Sequence, residues 1–169
     1  MFRRKTIKLS IVVVVIFMAT WLFITYMDSN VEYYHIFEDQ PGLFDAVKDE
    51  VDGIERSKLG YQSNNGDIFL YKNGGNAAPD LFHPEVSTNL QGKIQQINEL
   101  SGDKLSQLRY VESDGRRLIS FVFDWERAYG DTYHIVYCKS QDEIGKSFDE
   151  NVIYDLKQLD GDWYGTRIR

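Results

Sequence analysis

Residues 105–127 read LSQLRYVESDGRRLISFVFDWER, and this stretch decides the fold because it has the pattern of a β-hairpin. Apolar and polar residues alternate on both sides of Asp114-Gly115, the residue types that a two-residue type I′ turn favours. A turn and an apolar pattern that agree in this way predict one register for the hairpin. The facing pairs would be Glu112 with Arg117, Tyr110 with Ile119, and Leu108 with Phe121.

The sequence after this hairpin predicts three more strands. Residues 131–140, DTYHIVYCKS, are apolar on both faces, so their register cannot be chosen from the pattern. Residues 141–151 are polar and have the composition of a loop. The segments VIYDLKQL and WYGTRI then flank Asp160-Gly161, which predicts a second hairpin at the end of the chain.

The sequence before the hairpin predicts two helices and a short strand. Residues 39–54 have apolar positions on one helical face, with Asp39 as a cap and Pro41 in the first turn. In residues 87–102 the apolar spacing is again helical, with Ser87 as the cap and Gly102 as the terminator. Between the helices, DIFLYK is a short strand, whereas residues 55–66 are typical of a loop.

These elements predict an α+β fold, in which about two helices pack on one face of an antiparallel meander sheet of about five strands. The order of the elements is similar to that of cystatin-like and NTF2-like folds, by analogy of architecture only. Such architectures host binding modules, inhibitors and enzymes alike, so the analogy predicts no activity.

A second informative stretch is LSIVVVVIFMATWLFITYM, residues 9–27, which contains 19 residues and no charge. As a helix it would span about 28 Å, close to the hydrocarbon thickness of a bilayer. The run is longer than the apolar part of a signal peptide, and no A-x-A pattern follows it. We therefore favour a retained anchor over a cleaved signal peptide or a buried helix.

Charge then predicts the orientation of this anchor. Basic residues precede the run and the first acidic residue, Asp28, follows it, so the positive-inside rule places the N-terminus in the cytoplasm. No N-glycosylation sequon occurs, which favours the cytoplasmic membrane of a bacterium over a eukaryotic secretory compartment. The predicted segments are a cytoplasmic N-terminus (1–8), a transmembrane anchor (9–27), a juxtamembrane linker (28–38) and an extracytoplasmic domain (39–169).

Composition limits the partners of the exported part. All 26 acidic residues but only 15 of the 19 basic ones follow the run, so residues 28–169 carry a net charge of −11. This charge disfavours nucleic acid as a partner and permits a cationic one. Cys138 is the only cysteine, and its apolar neighbours predict a small buried side chain rather than a reactive thiol.

No catalytic or metal-binding motif stands out. The three histidines are about fifty residues apart, without metal-ligand spacing, and we expect neither a metal nor a cofactor. The most chemical-looking cluster is Asp124, Glu126 and Asp131, with His134 on the following strand, because paired carboxylates such as Asp124 and Glu126 can act as acid and base on a sugar. We interpret the two carboxylates as the solvent face of a strand and expect no catalytic residue.

The aromatic content predicts a recognition surface, because Tyr and Trp give large contact areas with few rotamers to freeze. The candidate partner-binding residues are Tyr129, Tyr133, Tyr137, Trp163 and Tyr164. We expect a single-pass, non-catalytic protein-binding module of the bacterial envelope, with an immunity or inhibitor protein as one version. Two alternatives remain open: an envelope carbohydrate-active enzyme that uses acidic residues, and an assembly or sensing subunit of a membrane complex.

Overall fold

The computed structural model of this protein describes residues 18, 33–60, 67–75, 78–113, 116–124, 132–148 and 153–168. Apart from Met18, these residues belong to one compact unit, Tyr33–Arg169. The predicted anchor lies outside the described residues except for Met18, as do residues 28–32 of the predicted linker. Within the described part of the chain, no helix has the length and apolar character needed to cross a membrane.

The fold is α+β, as predicted. The helices of the described residues are α1 (Tyr34–Asp39), α2 (Pro41–Gly53), α3 (Arg56–Leu59), α4 (Thr88–Leu100) and α5 (Gln141–Ser147). The strands are β1 (Asp67–Lys72), β2 (Leu81–Phe82), β3 (Leu105–Ser113), β4 (Arg116–Phe123), β5 (Thr132–Tyr137), β6 (Ile153–Asp160) and β7 (Trp163–Ile168).

The seven strands of the described residues form one antiparallel sheet in the order β2-β1-β3-β4-β5-β7-β6. The expectation of about five strands was therefore too low. The strand that sequence reasoning missed is β2, which has only two residues and so has no alternation to detect. Strand β1 joins the sheet through β3, so the sheet extends beyond the C-terminal meander.

The predicted register of the β3–β4 hairpin is confirmed, although its Asp114-Gly115 turn lies outside the described residues. The terminal β6–β7 hairpin around Asp160-Gly161 is confirmed as well. The observed facing pairs of the central hairpin are Glu112 with Arg117, Tyr110 with Ile119, and Leu108 with Phe121.

The larger core lies between one face of the sheet and helices α1, α2 and α4. Phe44 of α2 contacts Phe121 of β4, with their ring centroids 4.9 Å apart. Each large apolar side chain buried here contributes about 1.5–3 kcal/mol. Both predicted helices therefore pack on the same face. Ser87 caps α4 as predicted by accepting a hydrogen bond from the Leu90 amide, whereas Gln40, not Asp39, precedes α2.

Helix α1 occupies part of the predicted linker, 28–38. Its Tyr34, Ile36 and Phe37 are buried in the larger core, so these residues belong to the folded unit. Tyr34 packs on Gly165 of β7 so closely that a Cβ there would lie 2.5 Å from the Tyr34 ring. Six residues without a side-chain cap give little helical signal in the sequence.

The opposite face of the sheet carries a smaller apolar cluster. Helix α5 covers part of this face through Ile144, although the sequence predicted a loop over residues 141–151. This helix has seven residues and one buried apolar position, so no apolar repeat was present to predict it. The cluster consists of Val111, Leu118, Val136, Cys138, Ile144 and Tyr164.

Candidate functional site

Asp124 follows the last residue of β4 and is buried at the end of the sheet. The Tyr33 hydroxyl donates a hydrogen bond to its carboxylate, and the Lys104 ammonium lies 3.8 Å from its other oxygen. The Asp124 backbone has a φ of 58° and its amide donates to the Lys104 carbonyl at 3.0 Å. The carboxylate therefore joins the residue that precedes α1 to the end of β4, instead of facing solvent as the sequence predicted.

His134 lies in the middle of β5 and is only 1% exposed. Its Nδ1 is 3.0 Å from the Ser120 hydroxyl and its Nε2 is 3.1 Å from the Thr132 hydroxyl. Burial, followed by the positive charge of Arg109, lowers the pKa of His134 to about 3. The imidazole is therefore neutral at physiological pH, and hydroxyl groups engage both of its nitrogens.

The Ser120–His134 contact has the spacing of a nucleophile and its base. However, Ser120 is fully buried, so its hydroxyl cannot meet a substrate in this conformation. The second imidazole nitrogen faces a hydroxyl group, whereas a carboxylate would be needed there to stabilise an imidazolium. We interpret the contact as hydrogen bonding within the core.

His134 belongs to a polar cluster on the sheet face opposite the larger core, which sequence reasoning missed. Arg109 and Asp67 form an ion pair there, and Arg109 faces Ser120 across the β3–β4 ladder. The Thr166 hydroxyl is buried and has no hydrogen-bond partner among the described residues. Prediction of this cluster would have required the register of β5 on β4, which the apolar pattern of residues 131–140 does not determine.

The other predicted site residues divide into two groups. Glu126 and Tyr129 lie outside the described residues, within 125–131. Of the remaining predicted partner-binding aromatics, Tyr133 is 3% exposed, Trp163 4% and Tyr164 8%. These three side chains are core residues, which contradicts the surface exposure expected of them.

Specific contacts account for the positions of two of these aromatics. The Trp163 indole donates to the Asp45 carboxylate at 2.8 Å, so its polar end is satisfied while its rings are buried. Half-buried Tyr137 packs edge-on against Trp163 and lies beneath the Lys48 ammonium, 5.1 Å from its ring centroid. A sheet with apolar contacts on both faces can bury more aromatic residues than a single core would suggest.

Cys138 is fully buried, which confirms its prediction as a small core residue. Its thiol donates to the Ser140 carbonyl at 3.3 Å, and burial raises its pKa to about 12.

Among the described residues, no three His, Cys, Asp or Glu side chains are placed to share a metal ion. His83 is held at both ring nitrogens, by the Leu59 carbonyl and the Glu85 amide.

The concave surface with the greatest chemical interest is a groove of about 550 Å³ on the helical side, which we name the acidic groove. It lies where the end of α2, the α3 segment and the start of α4 meet. Hydrogen bonds from Lys93, Ser87 and Asn89 hold the Glu50 carboxylate, and the Lys93 bond contributes most to lowering the pKa of Glu50. The lining residues are Glu50, Gly53, Ile54, Glu55, Lys58, Glu85, Ser87 and Leu90.

Two further carboxylates of the acidic groove are exposed. Glu55 accepts a hydrogen bond from Ser57 at 2.7 Å and lies 3.6 Å from the Lys58 ammonium. The Glu85 carboxylate has no ion-pair or hydrogen-bond partner within the part of the chain that the structure describes. Half-buried Ile54 also lines the groove, whereas Leu90 beneath it is buried, so the groove offers negative charge and a small apolar contact at Ile54.

Known proteins offer no guide to the use of this groove. No protein-family model, no curated protein and no solved structure matches the chain.

Proposed function

We propose that this protein is a single-pass, non-catalytic binding module at the outer side of a bacterial cytoplasmic membrane. Its acidic groove binds a partner protein that has a cationic surface. Residues 9–27 anchor the chain, residues 1–8 are cytoplasmic and the folded unit is extracytoplasmic. The observation that carries the proposal is the acidic groove, a concave surface lined by three glutamates, one lysine and the half-buried Ile54.

Charge complementarity supports a cationic partner. The exported part has a net charge of −11, so its field attracts basic proteins during diffusional encounter. In the groove itself, Glu55 and Glu85 face solvent and are accessible to Lys or Arg side chains. Half-buried Ile54 would contact the aliphatic parts of those long side chains.

The placement of the reactive groups favours binding over catalysis. Asp124 is bonded by Tyr33, His134 is buried between two hydroxyls, and the Cys138 thiol is protonated and buried. The element order that is similar to cystatin-like and NTF2-like folds is compatible with a binding role, because such architectures include inhibitors. An immunity or inhibitor protein, which blocks a basic active-site cleft, is the specific version that we favour.

Crosslinking and capture of the tagged full-length chain in its native membranes tests this proposal. We expect one stoichiometric protein with a basic surface to be captured. The double variant E55K/E85K should lose this protein, because both substitutions reverse exposed charges in the groove without removing a core contact.

The matched control is E99K/D142K, which makes the same change of charge at exposed positions of α4 and α5 outside the groove. Capture by this control should equal that of the wild type. Equal loss of capture in both double variants would show that net charge, and not the groove, controls binding. Equal capture by both would refute the groove as the binding surface. For the immunity version, deletion of the gene should sensitise cells to an effector encoded beside it.

A further inference from the structure

Strand β6 forms one edge of the sheet. It pairs with β7 on one side, and among the described residues no strand pairs with its other side. An edge strand of eight residues presents a row of backbone N–H and C=O groups that can pair with another strand. The opposite edge, β2, has only two residues, so β6 is the longer of the two edges.

The middle of β6 is regular, because its two register shifts lie between Ile153 and Asp155 and between Gln158 and Asp160. Within this stretch, Asp155 and Lys157 face Arg167 and Gly165 of β7, whereas the intervening Leu156 faces Thr166. The two opposite charges therefore share one sheet face, and the half-buried Leu156 lies between them on the other face.

This order of residues is complementary to itself in one antiparallel register. When the register is centred on Leu156, each Asp155 faces the Lys157 of the second copy and the two Leu156 side chains face each other. A register centred on Lys157 would oppose two ammonium groups, and one centred on Asp155 would oppose two carboxylates. A register centred between Leu156 and Lys157 would place Leu156 of one copy opposite Lys157 of the other. Charge and apolar contact therefore favour one register.

We propose that β6 pairs with β6 of a second copy of this chain, in the antiparallel register centred on Leu156, and joins the two sheets. A lysine on an edge strand usually discourages such pairing. Here Asp155 lies two residues from Lys157, so the effect of Lys157 depends on register. In the register centred on Leu156, each Lys157 faces the Asp155 of the other copy and the two charges attract.

The existing contacts of Lys157 are compatible with this arrangement. Its ammonium lies 3.0 Å from the Glu38 carboxylate, with both side chains about half exposed. A lysine ammonium has three donors, so it can bond Glu38 of its own chain and Asp155 of the second copy together. Asp155 is exposed and so accessible to a second chain.

The symmetry of the pairing also suits chains tethered to one membrane. A two-fold axis that relates antiparallel edge strands of a continuous sheet is normal to that sheet, so helix α1 of both copies lies on the same face. Both N-terminal segments then approach from one side. Confinement by the proposed anchors raises the effective concentration, which compensates for the short regular interface. Only this tethering argument rests on the proposed function.

Disulfide trapping of the full-length chain in membranes tests the register. Oxidation of L156C should give a covalent dimer, because directly opposed residues have Cβ atoms about 4.5–5.5 Å apart. Q158C should remain monomeric, because the two copies of position 158 would be about 13 Å apart along the strands. The native Cys138 is buried, so the wild-type chain should give no dimer. A monomeric L156C, or equal dimer yields from both variants, would overturn the proposal.

A second measurement guards against misfolding of L156C. Energy transfer between differently labelled copies in membranes should fall in D155K, with association at least about fivefold weaker, because both cross-strand pairs become repulsive. The double variant D155K/K157D restores opposite charges and should recover association. D142K makes the same charge change on α5 and should behave as wild type. Equal association in D155K and D142K would refute the interface, whatever protein the acidic groove captures.

Discussion

At the scale of single residues, the buried imidazole of His134 makes stability depend on pH. In the unfolded chain a histidine titrates near pH 6.5, whereas burial and Arg109 lower the pKa of His134 to about 3 in the fold. Between these values the unfolded state binds one more proton than the folded state. The contribution of neutral His134 is therefore complete above about pH 6.5 and is lost as the pH falls toward 3.

We expect H134Q to reduce the pH dependence of the unfolding free energy in this window by up to about 1.4 kcal/mol per pH unit, the slope for one proton. Denaturant unfolding of residues 28–169 at several pH values measures this slope. S120A is the matched control, because it removes a hydrogen-bonding partner of His134 but leaves the titrating group. Identical slopes in wild type and H134Q would contradict the prediction.

At the scale of elements, the contact between α1 and β7 shows that residues near the predicted linker stabilise the fold. G165A should destabilise the protein by about 1–3 kcal/mol, because the added methyl group would overlap the buried Tyr34 ring. G92A is the matched control in α4, where a Cβ meets no atom within 4 Å. It should be neutral or stabilise by up to about 1 kcal/mol. Thermal unfolding of both variants measures the difference, and equal melting temperatures would contradict it.

The elements also show which signals in the sequence are sufficient. The β3–β4 hairpin combines a turn dipeptide with alternation, and α4 combines a cap at Ser87 with regular apolar spacing, so both were predictable. Helices α1 and α5 are short and lack a repeated apolar stripe. Tertiary contacts stabilise them, as when Ile144 of α5 packs on the second face of the sheet.

At the scale of the whole molecule, the proposed topology can be tested by thiol labelling of intact cells. A membrane-impermeant maleimide should label Q158C, because position 158 is exposed in the folded unit, which the proposed topology places outside the cytoplasmic membrane. T6C should be labelled only after the cytoplasmic membrane is permeabilised, since residue 6 precedes the proposed anchor. The native Cys138 should stay unlabelled in both cases because it is buried with a raised pKa. Labelling of T6C in intact cells would reverse the orientation.

The sequence by itself determined the α+β class, both longer helices, the register of the β3–β4 hairpin and the presence of the β6–β7 hairpin, because each depends on residues close together along the chain. Only the tertiary structure decided which aromatic and polar residues are available for function. Asp124, His134 and Trp163 were candidates on sequence pattern, yet their partners Tyr33, Ser120 and Asp45 are far away in the sequence. The acidic groove likewise combines residues from α2 and the segment before α4. Burial depends on such distant contacts, and local periodicity does not encode them.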